Sequence, residues 1–479
     1  MAAASLLPKP AWELNRELRR GVRLAVQVNY TTGMPRGVLR SVLATKAVKG
    51  LTVHNAGHHD LADCILTAEL QSVDDMLPAM LDHLQSFTVT SLRKDQWDDL
   101  AEVLESLPDS VRRVSISSDY LDRSLGANLP CRFIDMQHVP LPPRCETLEL
   151  SSIHRLRCQF PASLTSVSLV NCCLTAVPQL PEPATSVRLG IHFAYNVPQP
   201  IAFTLPGGLR DLHLEDWSPQ WAIESWPPTL KSLKVHYRDT DPALPAHPLA
   251  PLLHALETLV ATAPCTSGQL PILAGELPPC LRTLDLEGCC KFKSALGPLP
   301  PNLSSLRLPP WFERDLGPLP ESLTALHMRR EIFGASAVFD RPLGALPPSL
   351  RILDLEGAAL FNHALGCLPR ALRKLRLGDS YSRPLAALPP ALEVLVLGRA
   401  FDGELQPQVL PRTLRVFHMG ERFRAPVALP AALEELVIGD SYTLRLTLRP
   451  SLKTLLVGAE YRHAIPRLPK TRHLHRGYW

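Results

Sequence analysis

The sequence predicts a mostly β repeat solenoid built from short coils, with one parallel concave sheet and a helix-containing N-terminal cap. One apolar template recurs about every 21 residues through most of the chain, and apolar residues two positions apart close each copy. The composition agrees, because the 479 residues combine 46% hydrophobic and 20% charged residues with 48 prolines. Such a chain buries a core, so global disorder is excluded despite the prolines.

Each copy of the template consists of an apolar residue, a proline, two variable positions and then Leu-x-x-Leu-x-Leu, as in 277–286, 346–355 and 388–397. Leucines two positions apart point to one face of a short strand, and the residue between them points to the other face. The proline removes a backbone donor, so we expect a turn or corner before each strand. Stacked copies then share one leucine core. The sixteen copies, weaker before Leu277, begin at Leu107, Leu141, Phe160, Leu180, Leu205, Trp226, Leu252, Leu277, Leu299, Leu319, Leu346, Leu368, Leu388, Leu410, Leu429 and Leu448.

The return half of each later coil carries an aromatic residue followed four positions later by an aliphatic residue. A fixed place in successive coils favours a stacked internal ladder over a binding surface. About ten residues remain for the return path, which predicts an extended or 3₁₀ segment rather than a long helix. The aromatic residues are Phe292, Phe312, Phe339, Phe361, Tyr381, Phe401, Phe423, Tyr442 and Tyr461.

The Leu-x-x-Leu-x-Leu core resembles a leucine-rich repeat. Together with Phe-Asn/Asp-x-Pro-Leu, it resembles the FNIP repeat of social amoebae and giant viruses of amoebae, most clearly over 277–469. Ordinary leucine-rich repeats carry Asn or Cys three residues after the last strand leucine, and here only Cys172 and Cys289 match. Bacterial effector repeats are also similar, but their ligase domain does not fit after Leu468. Late copies instead place a glycine directly after the strand, which predicts a sharp bend at Gly378, Gly398, Gly420, Gly439 and Gly458.

The N-terminal hundred residues follow a different pattern. Strands are predicted at Val22–Val28 and Gly50–Val53, and helical apolar spacing occurs over 60–70, 74–84 and 94–104. A solenoid needs its first hydrophobic end covered, so we expect a distinct cap. The predicted division is 1–43 as N-terminal cap, 44–106 as degenerate helix-bearing repeats, 107–467 as repeat array and 468–479 as C-terminal tail.

No pattern in the sequence indicates an enzyme, a cofactor or a metal site. The densest group of metal-ligand types is His54, His58, His59, Asp60, Asp63 and Cys64. It contains the turn signal Asn55-Ala-Gly57, which favours a solvated loop over converging ligands. The cysteine pairs after two strands, 172–173 and 289–290, lack Cys-x-x-Cys spacing and are predicted to be structurally buried. Phosphate-loop, nucleophile-elbow and His-Glu-x-x-His motifs are absent from the sequence.

The remaining candidate is the concave face of the sheet. The residues between paired strand leucines form a column that is charged in the middle and, after Arg376, reads Val396, His418, Val437 and Leu456, so that its C-terminal end is largely apolar. A long parallel surface of this kind is a plausible docking strip for a protein. The candidate binding residues are Asp285, Arg307, His327, Arg329, Asp354, Glu356 and Arg376.

These patterns predict a non-catalytic protein-binding scaffold. Nucleic acid is an improbable partner, because the net charge is only +4 and the short basic run at 373–376 is flanked by acidic residues. The resemblance implies an alternative, an adaptor whose repeats bind a client while an N-terminal F-box recruits a ubiquitin ligase. Only Leu7-Pro8 matches the expected F-box pattern, and Trp12 lies too close to the start of the chain to be the late Trp of that pattern. The start of the chain lacks a secretory pattern and no apolar run is long enough to span a membrane, so we expect a cytoplasmic protein.

Overall fold

The chain divides into two compact units, 1–229 and 230–479. The structure, a computed structural model, describes residues 26–28, 50–54, 86–90, 104, 107, 109–117, 141–153, 160–174, 179–193, 201–217, 221–223, 225–237, 254–263, 276–289, 292, 295–309, 312–328, 339–385, 387–403, 405, 410–465 and 473–476.

In the first unit, most of the described strands form a parallel sheet in chain order. The strands of this unit are β1 (Val26–Val28), β2 (Gly50–His54), β3 (Ser86–Thr90), β4 (Arg113–Ser117), β5 (Thr147–Ser151), β6 (Ser166–Leu174), β7 (Ser186–Phe193), β8 (Ile201–Phe203), β9 (Asp211–Trp217) and β10 (Trp221–Ile223). Strands β8 and β10 pair with each other in a separate two-stranded parallel sheet, and β7 pairs with β9. The register shifts by one residue in β6, between Val170 and Cys172.

In the second unit, the strands pair in parallel, each with the next along the chain. They are β11 (Ser232–Tyr237), β12 (Thr258–Thr262), β13 (Thr283–Asp285), β14 (Ser305–Leu308), β15 (Ala325–Met328), β16 (Ile352–Asp354), β17 (Lys374–Arg376), β18 (Val394–Val396), β19 (Val416–His418), β20 (Glu435–Ile438), β21 (Thr454–Val457) and β22 (His473–Arg476). The first inward residues, Leu284, Leu306 and Leu326, lie opposite one another and are 0% exposed. Each predicted copy therefore supplies one strand of a parallel solenoid.

The prolines of the template lie in turns, as predicted. The backbone N–H of Leu281 donates to the carbonyl of Pro278 at 3.1 Å, and the same bond closes the next coil between Leu303 and Pro300 at 3.1 Å. The turn uses the carbonyl of the proline as its acceptor and does not need the N–H that proline lacks, so the proline removes no hydrogen bond from the turn. The turn delivers the following leucine to the core, where Leu281 is 0% exposed.

The predicted aromatic ladder is confirmed. All nine rings are at most 3% exposed, and each stacks on the ring of the next coil with centroids 6.0 to 6.5 Å apart and interplanar angles of 4° to 25°. The described residues of the return segments in this unit lie in turns, bends and irregular chain. The ladder therefore fills the side of the core opposite the sheet.

The glycines after the late strands are needed for a different reason from the predicted bend. A Cβ on Gly398 would lie 1.8 Å from the carbonyl oxygen of Gly378, and one on Gly420 would lie 2.0 Å from that of Gly398. The close approach of adjacent coils therefore excludes a side chain. Left-handed glycines occur elsewhere, after the aliphatic residue of the return segment, as at Gly344 (φ 69°) and Gly366 (φ 65°).

Small hydroxyl residues before the core leucine tie adjacent coils together. The Ser349 hydroxyl donates to the Leu323 carbonyl at 2.8 Å, and the Thr413 hydroxyl donates to the carbonyls of Pro390 and Leu392 at 2.8 Å each. The buried cysteines act similarly, since the Cys289 thiol donates to the Ala261 carbonyl at 3.0 Å. Cys172 and Cys289 are buried, as predicted for structural thiols.

The ends of the chain extend the predicted array. Strands β1 and β2 fall in the two N-terminal segments predicted as strands, whereas the predicted helices over 60–70, 74–84 and 94–104 lie outside the described residues apart from Leu104. The domain boundaries at 43/44, 106/107 and 467/468 fall in or beside residues outside the described part and stay predictions. The segment predicted as a C-terminal tail contains strand β22, which pairs with β21.

Candidate protein-binding face

The sheet of the second unit has one face turned away from the leucine core, which we call the outward face. Along each strand, the residue between two inward residues lies on this face, as Asp285 does between Leu284 and Leu286. Strand pairing places these residues opposite one another in a single row. This row, the outward column, comprises Asp285, Arg307, His327, Asp354, Arg376, Val396, His418, Val437 and Leu456.

The first part of the outward column carries an ion-pair group around one arginine. The Arg307 Nη1 atom lies 3.2 Å from Asp285 Oδ2 and 3.9 Å from Glu287 Oε2. The Arg307 side chain remains 38% exposed, so its guanidinium is both oriented and accessible. Partly exposed pairs of this kind add little stability, but they hold a charge in one position.

The middle of the column is organised around a buried carboxylate. The Asp354 side chain is 1% exposed, and its Oδ2 atom lies 2.9 Å from Lys374 Nζ and 4.0 Å from Arg376 Nε. A buried charge is costly unless it is paired, and these two cations supply the pairing. Arg376 also reaches outward, with Nη1 2.6 Å from Oε2 of Glu356, whose side chain is 45% exposed. His327, 7% exposed, occupies the adjacent position between Arg307 and Asp354.

The structure brings six of the seven predicted site residues together on this face. Five of them form consecutive positions of the outward column, and Glu356 joins them through its ion pair with Arg376. Arg329 lies outside the described residues. Asp354 is too buried to touch a partner itself, so its contribution is to position Lys374 and Arg376.

The C-terminal part of the face is mostly apolar, with polar side chains at His418, Glu435 and Thr454. Five partly exposed aliphatic side chains from two adjacent columns cover strands β18 to β21, and we call them the apolar strip. Within it, His418 Nε2 lies 2.6 Å from Glu435 Oε1, which pairs the polar groups of β19 and β20 with each other. The apolar strip comprises Val394, Val396, Val416, Val437 and Leu456.

A row of carboxylates borders the apolar strip, and the sequence analysis missed it. Three of the residues directly follow a strand glycine and Glu460 lies two positions after Gly458, so they share an edge of the face. The Arg399 Nε atom lies 3.8 Å from Asp379 Oδ2 and 3.3 Å from Glu421 Oε1, so it neutralises part of the negative charge of this row. The Asp440 Oδ1 atom accepts a bond from the Ala459 backbone N–H at 3.0 Å. The row, which we call the acidic rim, comprises Asp379, Glu421, Asp440 and Glu460.

Other chemistry finds little support in the described part of the chain. No three His, Cys, Asp or Glu side chains there are arranged to hold a metal ion. Nor does that part contain a helix long and apolar enough to cross a membrane. Burial raises the pKa of the Cys145 thiol to about 11, which keeps it protonated and poorly nucleophilic at neutral pH.

Comparison with known proteins identifies the fold. No protein-family model matches the chain, and no curated protein matches it. Among solved structures, it is similar to CroV588, a circular leucine-rich-repeat protein, with a TM-score of 0.55 and 19% identity over 91% of this chain. The chain spans 66% of the length of CroV588. It is also similar to YopM from Yersinia enterocolitica WA-314, with a TM-score of 0.51 and 20% identity, covering 98% of this chain and 100% of YopM. The chain therefore has the parallel β-solenoid fold of leucine-rich-repeat proteins.

Proposed function

We propose that the protein is a non-catalytic scaffold that binds another protein on the outward face of its second unit. The observation that carries this proposal is the unbroken register of the outward column from Asp285 to Leu456, which places charged and apolar side chains on one continuous surface. Repeat solenoids of this kind use such extended surfaces for binding.

The ion pairs of the face support this role, because they orient charges before a partner arrives. Arg307 and Arg376 are each held by two acidic side chains while about a third of each arginine side chain stays exposed. Arginine is enriched in protein interfaces, and preorganised side chains lose less conformational entropy on binding. The apolar strip beside them offers surface whose burial favours association.

We also assign the repeats to the FNIP type, on the basis of the buried ladder formed by the aromatic residues of the Phe-x-x-x-Leu pattern. A cytoplasmic location fits the reduced, buried thiols of Cys172 and Cys289, which donate hydrogen bonds to the backbone carbonyls of Leu150 and Ala261. The alternative role as a ubiquitin-ligase adaptor depends on residues 1–43. The structure describes only 26–28 of these, and no observation on the described residues favours that role.

Site-specific photo-crosslinking tests the proposal. A photoreactive benzophenone amino acid replaces either Arg307 or Val396 on the outward face, and Leu360 or Leu444 at exposed control positions outside it. We expect one and the same protein to be cross-linked from both outward positions and from neither control position. Purified, that protein should bind an Arg307→Glu/Arg376→Glu variant about tenfold or more weakly than the wild type. Cross-links confined to the control positions, or unchanged affinity, would refute the proposal.

A further inference from the structure

The apolar strip has a spacing that selects the shape of its ligand. Adjacent strands of a sheet lie about 4.8 Å apart, so Val396, Val437 and Leu456 follow one another along the solenoid at multiples of that distance. Successive turns of an α-helix repeat every ~5.4 Å, whereas same-face residues of an extended chain repeat every ~6.6 Å. A helix lying across the strands therefore matches the strip better than an extended peptide does.

The dimensions of the strip set the length of that helix. Three strand intervals from β18 to β21 span about 14 Å, which corresponds to about ten residues or three helical turns. The two columns of the strip, represented by Val394 and Val396, lie about 6.6 Å apart along the strand. A helix about 10 Å in diameter covers both columns with one apolar stripe.

The two borders of the strip differ in charge. On one side, Glu434 forms ion pairs with both Arg415 and Lys453, at 3.5 Å and 2.7 Å, so this group keeps one uncompensated positive charge. On the other side lies the acidic rim, where Arg399 is ion-paired with the first two carboxylates only. Among the described residues, no cation is ion-paired with Asp440 or Glu460. The rim therefore favours positive charge on a ligand lying in the strip.

From this arrangement we propose that the apolar strip and the acidic rim bind an amphipathic helix of a partner protein, with Lys or Arg residues along the edge that faces Asp440 and Glu460. This inference rests on the proposed function, because it names the chemistry of the partner segment that the outward face receives. The charged clusters around Arg307 and Arg376 then contact other parts of the same partner.

Two synthetic helical peptides and the full-length protein test this inference by fluorescence anisotropy. Both peptides carry leucines at i, i+3, i+4 and i+7, and the positions flanking the leucine stripe are Lys in one peptide and Glu in the other. We expect the Lys peptide to bind at least tenfold more tightly and to weaken as salt is raised. Val437→Asp should weaken its binding at least tenfold, whereas the matched variant Leu444→Asp, at an exposed site outside the strip, should not change it.

The last two carboxylates of the acidic rim provide a second variant that leaves the apolar strip unsubstituted. An Asp440→Lys/Glu460→Lys protein should reverse the preference and bind the Glu peptide more tightly. Equal affinity for the two peptides, absence of binding of both, or a Val437→Asp protein that folds and binds like the wild type would overturn the inference. If the partner cross-linked from Arg307 still depends on that residue while the peptides fail, the proposed function stands and only the helix assignment is refuted. Absence of cross-links from the outward face refutes the proposed function itself.

Discussion

Truncation of one ring of the aromatic ladder should open the solenoid locally. Phe361 is 0% exposed and stacks on Phe339 at 6.0 Å and on Tyr381 at 6.1 Å. Replacing it with alanine should cost about 3–5 kcal/mol, of which each lost stack accounts for about 0.5–1.5 kcal/mol. At about 1.4 kcal/mol per factor of ten, amide exchange in the surrounding coils should accelerate about 100-fold or more. Hydrogen exchange measured by mass spectrometry on peptides covering Leu355 and Leu377 gives this rate.

A double-mutant cycle tests whether neighbouring rings are responsible. We expect Phe361→Leu and Tyr381→Leu, on adjacent coils, to couple by about 0.5–1.5 kcal/mol. Phe361→Leu and Phe423→Leu, which the ladder separates by two intervening rings, should be additive. Equal coupling for the two pairs, or no coupling between the adjacent rings, would refute the stacked ladder as a nearest-neighbour stabilising element.

Three further predictions concern the backbone contacts, the buried charge and the thiols. Gly398→Ala should force two adjacent coils apart, because the new Cβ would lie only 1.8 Å from the carbonyl oxygen of Gly378. We expect it to lower the free energy of unfolding by about 1–3 kcal/mol and Tm by several degrees, and an unchanged Tm would contradict the close approach. Lys374→Met should destabilise the protein by about 1–3 kcal/mol in urea unfolding, because the carboxylate of Asp354 stays buried, and adding Asp354→Leu should restore much of the loss. Burial raises the pKa of the Cys145 thiol to about 11, so the thiol stays protonated until the pH approaches that value. At pH 8, Cys145 should therefore be alkylated at least ~100-fold more slowly than the exposed Cys280. Equal alkylation rates, measured by mass spectrometry, would contradict the burial of Cys145.

The repeating features of the fold follow from local patterns and were predictable. The apolar-Pro-x-x-Leu spacing specifies a turn and a strand within ten residues, so each copy indicates its own strand without knowledge of its neighbours. The aromatic ladder was predictable for the same reason, since a fixed place in every coil becomes a stack once the coils are in register. Strand β22 was missed because Thr471 stands where the template has its first core leucine.

Features that depend on two coils at once were harder to predict. The buried Asp354 carboxylate is paired with Lys374, one coil further along the chain, and a single sequence does not show that pairing. The glycines after the late strands suggested a bend, but the contact that requires them comes from the preceding coil. The acidic rim was missed because its residues belong to different positions of the repeat, Asp440 directly after a glycine and Glu460 one position later.

Side-chain footprinting of the complex tests the central claim most directly, because it needs no substitution in the protein. Hydroxyl radicals oxidise accessible side chains, and mass spectrometry compares each residue with and without the protein cross-linked from the outward face. We predict that Val396, Val437 and Leu456 lose reactivity when the partner binds, whereas Leu360 and Leu444, exposed at 48% and 41%, keep theirs. Protection of Leu360 and Leu444 with unchanged reactivity along the outward column would contradict the assignment of that face as the binding surface.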